Sequence, residues 1–122
     1  MLYRNPITQY DTIMDTDRIV RSFFTGFIKL HILHHASEGP IYGLAMIREL
    51  RRHGYELSPG SLYPALHGLE AEGFLSSEER SEGGRRRRYY TITEEGRRVL
   101  EMARHRIREL VREVLHGEQR EE

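Results

Sequence analysis

Apolar residues crowd the first third of the chain. Ile19, Val20, Phe23, Phe24, Phe27, Ile28, Leu30, Ile32 and Leu33 fall on more than one side of any helix drawn through them. That pattern predicts a helix buried on two faces, one turned to its own domain and the other to a partner subunit. Asp15, Thr16 and Asp17 offer N-caps for it, and Gly39-Pro40 ends it. Residues 1–15, with Pro6 among scattered polar positions, read as an arm or a short helix.

Ile41 reads as a lone strand residue. A second helix is expected over about residues 42–53, with Leu44, Ile47 and Leu50 on one stripe beside Met46, and Gly54 closing it. Ser58 is a good N-cap and Pro59 suits the first position of a third helix, whose inward stripe is Leu62, Ala65, Leu66 and Leu69 before Gly73 stops it. Pro64 lies inside that helix, where it removes a backbone hydrogen bond or bends the axis, and such local violations often mark functional places. A strand from about Phe74 to Glu82, a tight Gly83-Gly84 turn and a return strand Arg85 to Ile92 make a hairpin. Alternation sets Arg88, Tyr90 and Ile92 on one face and Arg87, Tyr89 and Thr91 on the other. Thr93 with Glu95-Gly96 caps a last helix over about 94–116, and a polar tail follows.

The order helix, helix, helix, hairpin, helix predicts a mainly α (α+β) chain: a winged helix-turn-helix with an N-terminal helical extension and a C-terminal dimerisation helix. The expected divisions are an arm at 1–18, the winged unit at 19–96, and the dimerisation helix with its tail at 97–122. In the last helix, Leu100, Ala103, Ile107, Leu110 and Val114 follow spacings of three and four, a heptad seam. A domain this small has little else to cover so long a stripe. A dimer contact is therefore expected, with Phe23 and Phe24 of the first helix as candidate partners. Packing onto the chain's own first helix is the plainer reading, and both can hold at once.

Composition narrows the chemistry. The 122 residues hold one domain, with 19 basic and 19 acidic side chains and no cysteine. Disulfides and cysteine-based zinc sites are excluded, and a cytoplasmic, nucleoid-associated location fits. No apolar run reaches the length of a membrane span, and the N-terminus lacks the apolar core of a signal peptide. No cofactor is implied. The sequence has no phosphate loop of the P-loop type, no nucleophile–base constellation and no paired carboxylates around an evident pocket, so an enzyme is the least favoured class.

Against a zero net charge, Arg85, Arg86, Arg87 and Arg88 directly after Gly83-Gly84 form a local concentration of positive charge. At a hairpin tip they can reach phosphates or enter a minor groove. The plainer reading pairs them with Glu78, Glu79 and Glu82 across the ladder. On the third helix, Ser61, Tyr63, Pro64, His67 and Gly68 lie on or near the side opposite the inward stripe. Small groups and a helix N-terminus there allow close approach to phosphate. For Tyr63 the competing reading is packing against the hairpin.

Gly39-Pro40-Ile41-Tyr42-Gly43, the run Leu57 to Leu66 (Leu-Ser-Pro-Gly-Ser-Leu-Tyr-Pro-Ala-Leu), the run Leu69 to Leu75, and Gly83 to Arg97 closely resemble the PadR family of transcriptional regulators. The resemblance covers about residues 26–100, and the single C-terminal helix resembles the compact branch of that family. It implies a homodimer on a near-palindromic operator of double-stranded DNA, usually as a repressor. The third helix would enter the major groove and the wing would lie along the flanking backbone. Carried over, Ser58, Gly60, Ser61, Tyr63 and Pro64 fall in the recognition segment and Arg85 to Arg88 in the wing. Some relatives bind flat aromatic or drug-like effectors at the dimer interface. With no tryptophan here, a tryptophan-stacking pocket does not carry over, and Phe23, Phe24 and Phe27 are the alternative lining or simply core.

The first helix departs from the family by carrying His31, His34 and His35. His31 and His35 are four apart, a spacing that can chelate a divalent metal or respond to pH, while His34 is one residue off that face. Surface or interface histidines with satisfied hydrogen bonds are the plainer reading. No acidic residue is obviously placed as a further ligand, although Glu38 or a second subunit can supply one. A metal- or pH-responsive sensor and a winged-helix protein-interaction module remain the alternatives to a DNA-binding regulator.

Overall fold

The computed structural model describes residues 15–117. Expectations for residues 1–14 and for the tail from 118 lie outside them. Helix α1 runs Asp15–Glu38, β1 is Ile41–Tyr42, α2 is Gly43–Arg52, and α3 is Pro59–Ala71. Strands β2 (Leu75–Glu82) and β3 (Arg85–Ile92) form the hairpin, and α4 spans Glu94–Leu110 before a π-helical turn at Val111–Leu115. The sheet is antiparallel in the order β1-β3-β2, with Ile41 opposite Tyr90 and Tyr42 opposite Tyr89.

The two-faced character of α1 is visible in its burial. Ile28, Ile32, Leu33 and Ala36 enter the core, while Ile19, Phe23 and Phe27 stand exposed on the other side. Met46, Ile47 and Leu50 of α2, Leu62, Leu66 and Leu69 of α3, Leu75, Tyr90 and Leu100 close the same core. Leu57 in the α2–α3 connection is buried too, and it pins the turn that sets α3 against α2. The stripe expected for α2 is shifted at one position, since Leu44 is 42% exposed and the buried apolar side chains are Met46, Ile47 and Leu50.

Local chemistry explains the element boundaries. Ser58 has extended backbone angles at the N-cap of α3, and its carbonyl accepts from the Ser61 and Leu62 amides, both at 3.0 Å. Its hydroxyl makes no cap bond, so the cap is a backbone one with Pro59 pre-set behind it. Thr93 caps α4 with its side chain: its Oγ1 accepts from the Gly96 amide at 3.0 Å and donates to the Gly73 carbonyl at 2.6 Å. One hydroxyl thus starts α4 and holds the end of α3. Gly96 has no room for a side chain, since a β-carbon there would overlap the Phe74 carbonyl and fall 2.7 Å from Ile92 Cγ1.

The heptad of α4 does not continue unbroken. The His116 amide bonds the Val111 carbonyl at 3.3 Å, an i→i+5 link that widens the last turn. Val111 is half-buried while Val114 and Leu115 face solvent. Leu100 is 4% exposed within the chain itself. Its side chain is already covered by this domain, and the seam free for a partner starts beyond it. No helix among the described residues is long and apolar enough to cross a membrane.

Candidate nucleic-acid interface

Helix α3 presents an outward face of Pro59, Gly60, Ser61, Pro64, His67 and Gly68, all exposed. None is a carboxylate, lysine or arginine, and His67 supplies the one imidazole. The one carboxylate well inside the helix, Glu70, is turned aside and accepts from Ser77 Oγ at 2.7 Å. Gly60 meets nothing closer than Ser58 Oγ at 3.6 Å, and Gly68 faces open space. Their missing side chains are therefore not demanded by internal packing. They lower the profile of the exposed face, which lets a surface come close to the backbone amides of the helix start.

Tyr63 is partly withdrawn from that face. It is 37% exposed, its ring lies over Gly43 at the start of α2, and its centroid is 6.2 Å from that of His67. Its ring thus packs on the start of α2. Gly43 is buried because nothing larger fits beneath this ring. The sequence points to Tyr63 as an exposed hydroxyl of α3 and to Gly43 only within a motif. The signal joining them was the paired Tyr-Gly and Leu-Tyr-Pro runs, which carry no contact information by themselves.

The wing is a two-residue hairpin. Gly83 and Gly84 adopt φ of 56° and 76°, and Glu82 pairs directly with Arg85. Two successive positive φ values are the type I′ geometry that side chains resist and that matches strand twist. Arg86 and Arg88 lie on the face that carries Tyr90 into the core. Both reach Glu79, at 2.5 Å and 3.4 Å, and Arg88 also donates to Ser77 Oγ at 3.0 Å. On the opposite face Arg87 lies over the Tyr42 ring, 4.3 Å from its centroid, and Arg80 over Tyr89 at 4.9 Å. The Tyr89 hydroxyl donates to Glu82, and Arg80 pairs with Glu78 at 2.9 Å. The cross-ladder pairing is therefore present, and Glu79 alone serves two of the four arginines. All these pairs are well exposed, where ion pairs contribute ~0–1 kcal/mol. The arginines can be exchanged to an outside anion at little cost. From Glu78 to Arg88, five arginines stand against three glutamates, so the tip keeps a positive excess.

A third surface lies on the far side of α1 and α4. Ile107, Leu110 and Val114 are 40%, 55% and 65% exposed, and Phe23 is 56% exposed. Ala103 is half-buried. Phe24 is half-buried too, edge-on to Phe27 and Tyr55 at 5.7 and 6.0 Å, and so packs inside its own chain. Of the residues expected at a partner surface, Leu100 and Phe24 serve the chain's own packing, while Phe23, Ile107, Leu110 and Val114 stay uncovered.

The histidines of α1 have partners from α2. His31 and His35 are half-buried, and the structure adds His53 and Glu49, neither of which the sequence singled out. His34 points elsewhere: its Nδ1 lies 3.3 Å from Arg104 Nη2 of α4, and its Nε2 3.6 Å from Glu38.

Residues 32–102 match the model of the transcriptional regulator PadR-like family. The chain belongs to that family. It is 50% identical over 99 residues to the transcriptional regulator Rv3488 of Mycobacterium tuberculosis, a match covering 81% of this chain and 92% of the relative. Among solved structures, a PadR-like transcription factor from Bacteroides fragilis superposes with a TM-score of 0.71 at 25% identity, covering 83% of this chain and 99% of that one. A PadR family regulator from Eggerthella lenta gives 0.64 at 33% identity, over 84% and 94% of the two chains. The PadR winged-helix fold expected from the sequence is the fold observed, and the chain is a transcriptional regulator of this family.

Proposed function

We infer that this PadR-family chain is a sequence-specific DNA-binding repressor that acts as a homodimer on a near-palindromic operator. In this reading residues 19–96 form the DNA-binding unit and residues 97–122 carry the dimer helix and tail; of the segment 1–18 expected ahead of them as an arm or short helix, Asp15 to Arg18 are already the first turn of α1. One observation carries the inference: the uncharged, low-profile face of α3 and the arginine wing belong to one small unit. The two surfaces have complementary chemistry. Base edges in a major groove demand close approach with few bulky charges, and phosphates demand exchangeable cations. Ser58, Gly60, Ser61, Pro64 and His67 supply the first, with Tyr63 at the margin, and Arg85 to Arg88 the second.

The exposed Phe23, Ile107, Leu110 and Val114 support the homodimer. Such an apolar surface is poorly solvated when bare, and a second copy would cover it with the same residues. An open groove of about 330 Å3, lined by Phe27, Leu30, Tyr55, Leu100 and Ile107 with His31, His34 and Arg104 at its polar side, offers a place for a small effector that would release the repressor.

Selection of bound fragments from a random DNA pool tests the function. The expected product is an inverted repeat with half-sites about one helical turn apart. Retention of DNA without sequence preference, or of none, would favour a winged-helix protein-interaction module instead.

A further inference from the structure

Three imidazoles and one carboxylate converge between α1 and the C-terminal end of α2. His31 and His35 lie one turn apart on α1, His53 caps α2, and Glu49 stands one turn before it. The donor atoms of His31, His35 and His53 all fall within 4.8 Å of one another. Glu49 Oε2 is 3.1 Å from His53 Nε2 and 3.6 Å from His35 Nε2. The His31 ring stacks on that of His53, with centroids 4.8 Å apart.

We propose that His31, His35, His53 and Glu49 bind one divalent transition-metal ion of the zinc, cobalt or nickel kind, joining α1 to the end of α2. Three nitrogens and one carboxylate oxygen are the donors such borderline ions prefer, whereas calcium and magnesium take oxygen shells. Tetrahedral ligands at ~2.0–2.1 Å from zinc stand about 3.4 Å apart. Donor atoms already within 4.8 Å of one another need only modest side-chain rotations to reach that spacing. The His31 imidazole is also held in the form that ligates. Burial, and then the neighbouring His53, His35 and His34, keep the His31 pKa below its usual value against the opposing pull of Glu49. Arg52 lies 3.0 Å from Glu49 on its solvent side, but with its side chain 75% exposed it is free to swing away.

A rival set, His34, His35 and Glu38, shares His35. Its His34 is already engaged by the Arg104 guanidinium, a fixed positive charge that repels a cation. The four-residue set between α1 and α2 is the better site. Its position gives the ion a consequence. Helix α1 carries the exposed Phe23 ridge, and α2 is the first helix of the helix-turn-helix. An ion between them fixes the angle between the dimer ridge and α3, and so the distance between two recognition helices. That consequence rests on the homodimer reading, whereas ion binding does not.

The test uses the full chain without an affinity tag, freed of metal by chelation. Zinc is titrated calorimetrically and cobalt by visible absorption. The expected result is one ion per chain, intense cobalt bands of a tetrahedral site that zinc displaces, and a raised melting temperature. His53→Ala and Glu49→Gln should each weaken binding at least about tenfold, since loss of outer-sphere partners alone costs that much at metal sites. His34→Ala should bind as wild type. His53 is exposed, so its alanine variant is expected to melt as the metal-free wild type, and His53→Gln replaces it if it does not. The proposal is overturned by absent stoichiometric binding, by wild-type affinity in both His53 variants, or by loss of binding in His34→Ala, which would move the ion to the rival set.

Discussion

The Tyr63 ring of α3 lies directly over the α-carbon of Gly43, the first residue of α2, closely enough that a β-carbon on Gly43 would overlap the tyrosine hydroxyl and sit 2.7 Å from its Cε1. This packing sets how far α3 stands from α2, and hence how far its outward face projects. Gly43→Ala should force the ring aside and destabilise the fold by ~1–3 kcal/mol, the usual cost of overpacking. The hydroxyl is the nearest atom, so adding Tyr63→Phe should recover part of that loss. Urea unfolding of both single variants and the double variant measures the coupling. Strict additivity would mean that the two residues do not press on each other.

The wing arginines should contribute mainly through phosphate. Replacing Arg86 and Arg87 together with alanine is expected to weaken operator binding. It should also lower the slope of log affinity against log salt by about one for each phosphate that is no longer neutralised. Anisotropy titrations over a range of salt concentrations supply both quantities. An unchanged affinity and slope would remove the wing from the DNA-binding reading.

Glu79 gives the complementary prediction. It holds Arg86 at 2.5 Å and Arg88 at 3.4 Å, so it competes with any phosphate for both. Glu79→Gln should tighten operator binding by about 0.5–1 kcal/mol, the scale of exposed ion pairs. The same titrations check it. Weaker binding would mean that Glu79 pre-orders the arginines and does not compete for them.

How much of this was legible in the sequence depends on the range of each interaction. The Gly83-Gly84 turn, the Ser58-Pro59 helix start and the Thr93 cap obey local rules that a few neighbouring residues settle, and each stands where those rules put it. The sharing of Glu79 required the strand register, which sets Glu79 opposite Arg88 with Arg86 on the same face. Periodicity treats Leu100 and Ile107 alike, but it cannot tell whether a stripe meets its own chain or another. Leu100 meets the core of its own domain. Gly43 beneath Tyr63, and His53 with Glu49 beside His31, are contacts between helices, and no local pattern encodes them. The π-helical turn at Val111 was likewise hidden, because the heptad spacing runs through it unchanged.

Tyr90 is 1% exposed, and its hydroxyl finds no hydrogen-bond partner among the described residues. Burial, and then the nearby Glu70 carboxylate, raise its pKa, so the group stays neutral at any working pH. An unpaired buried hydroxyl is a penalty of ~1–3 kcal/mol, while the ring contributes packing. Tyr90→Phe should therefore leave stability unchanged or raise it by up to about 1 kcal/mol, read as a higher urea midpoint at constant slope. A loss of more than that would mean the hydroxyl has a partner, such as a bound water.

The division of the heptad predicts two different failures from two apolar residues of one helix. Leu100 is 4% exposed in the chain alone, whereas Leu110 is 55% exposed. Leu100→Ala should open a cavity in the domain core and destabilise the chain by ~2–5 kcal/mol. Leu110→Glu should leave the domain core intact, because its side chain already meets water there, but it would place a carboxylate in the proposed dimer face. Buried without a partner, that charge is strongly unfavourable, so the dimer should dissociate into folded monomers. Sedimentation velocity reads the mass and circular dichroism reads the fold. Monomers should also lose operator affinity, since one winged unit holds only half of an inverted repeat. A Leu110→Glu variant that remains dimeric would place the contact elsewhere, with the Phe23 ridge of α1 as the next surface to probe by Phe23→Asp.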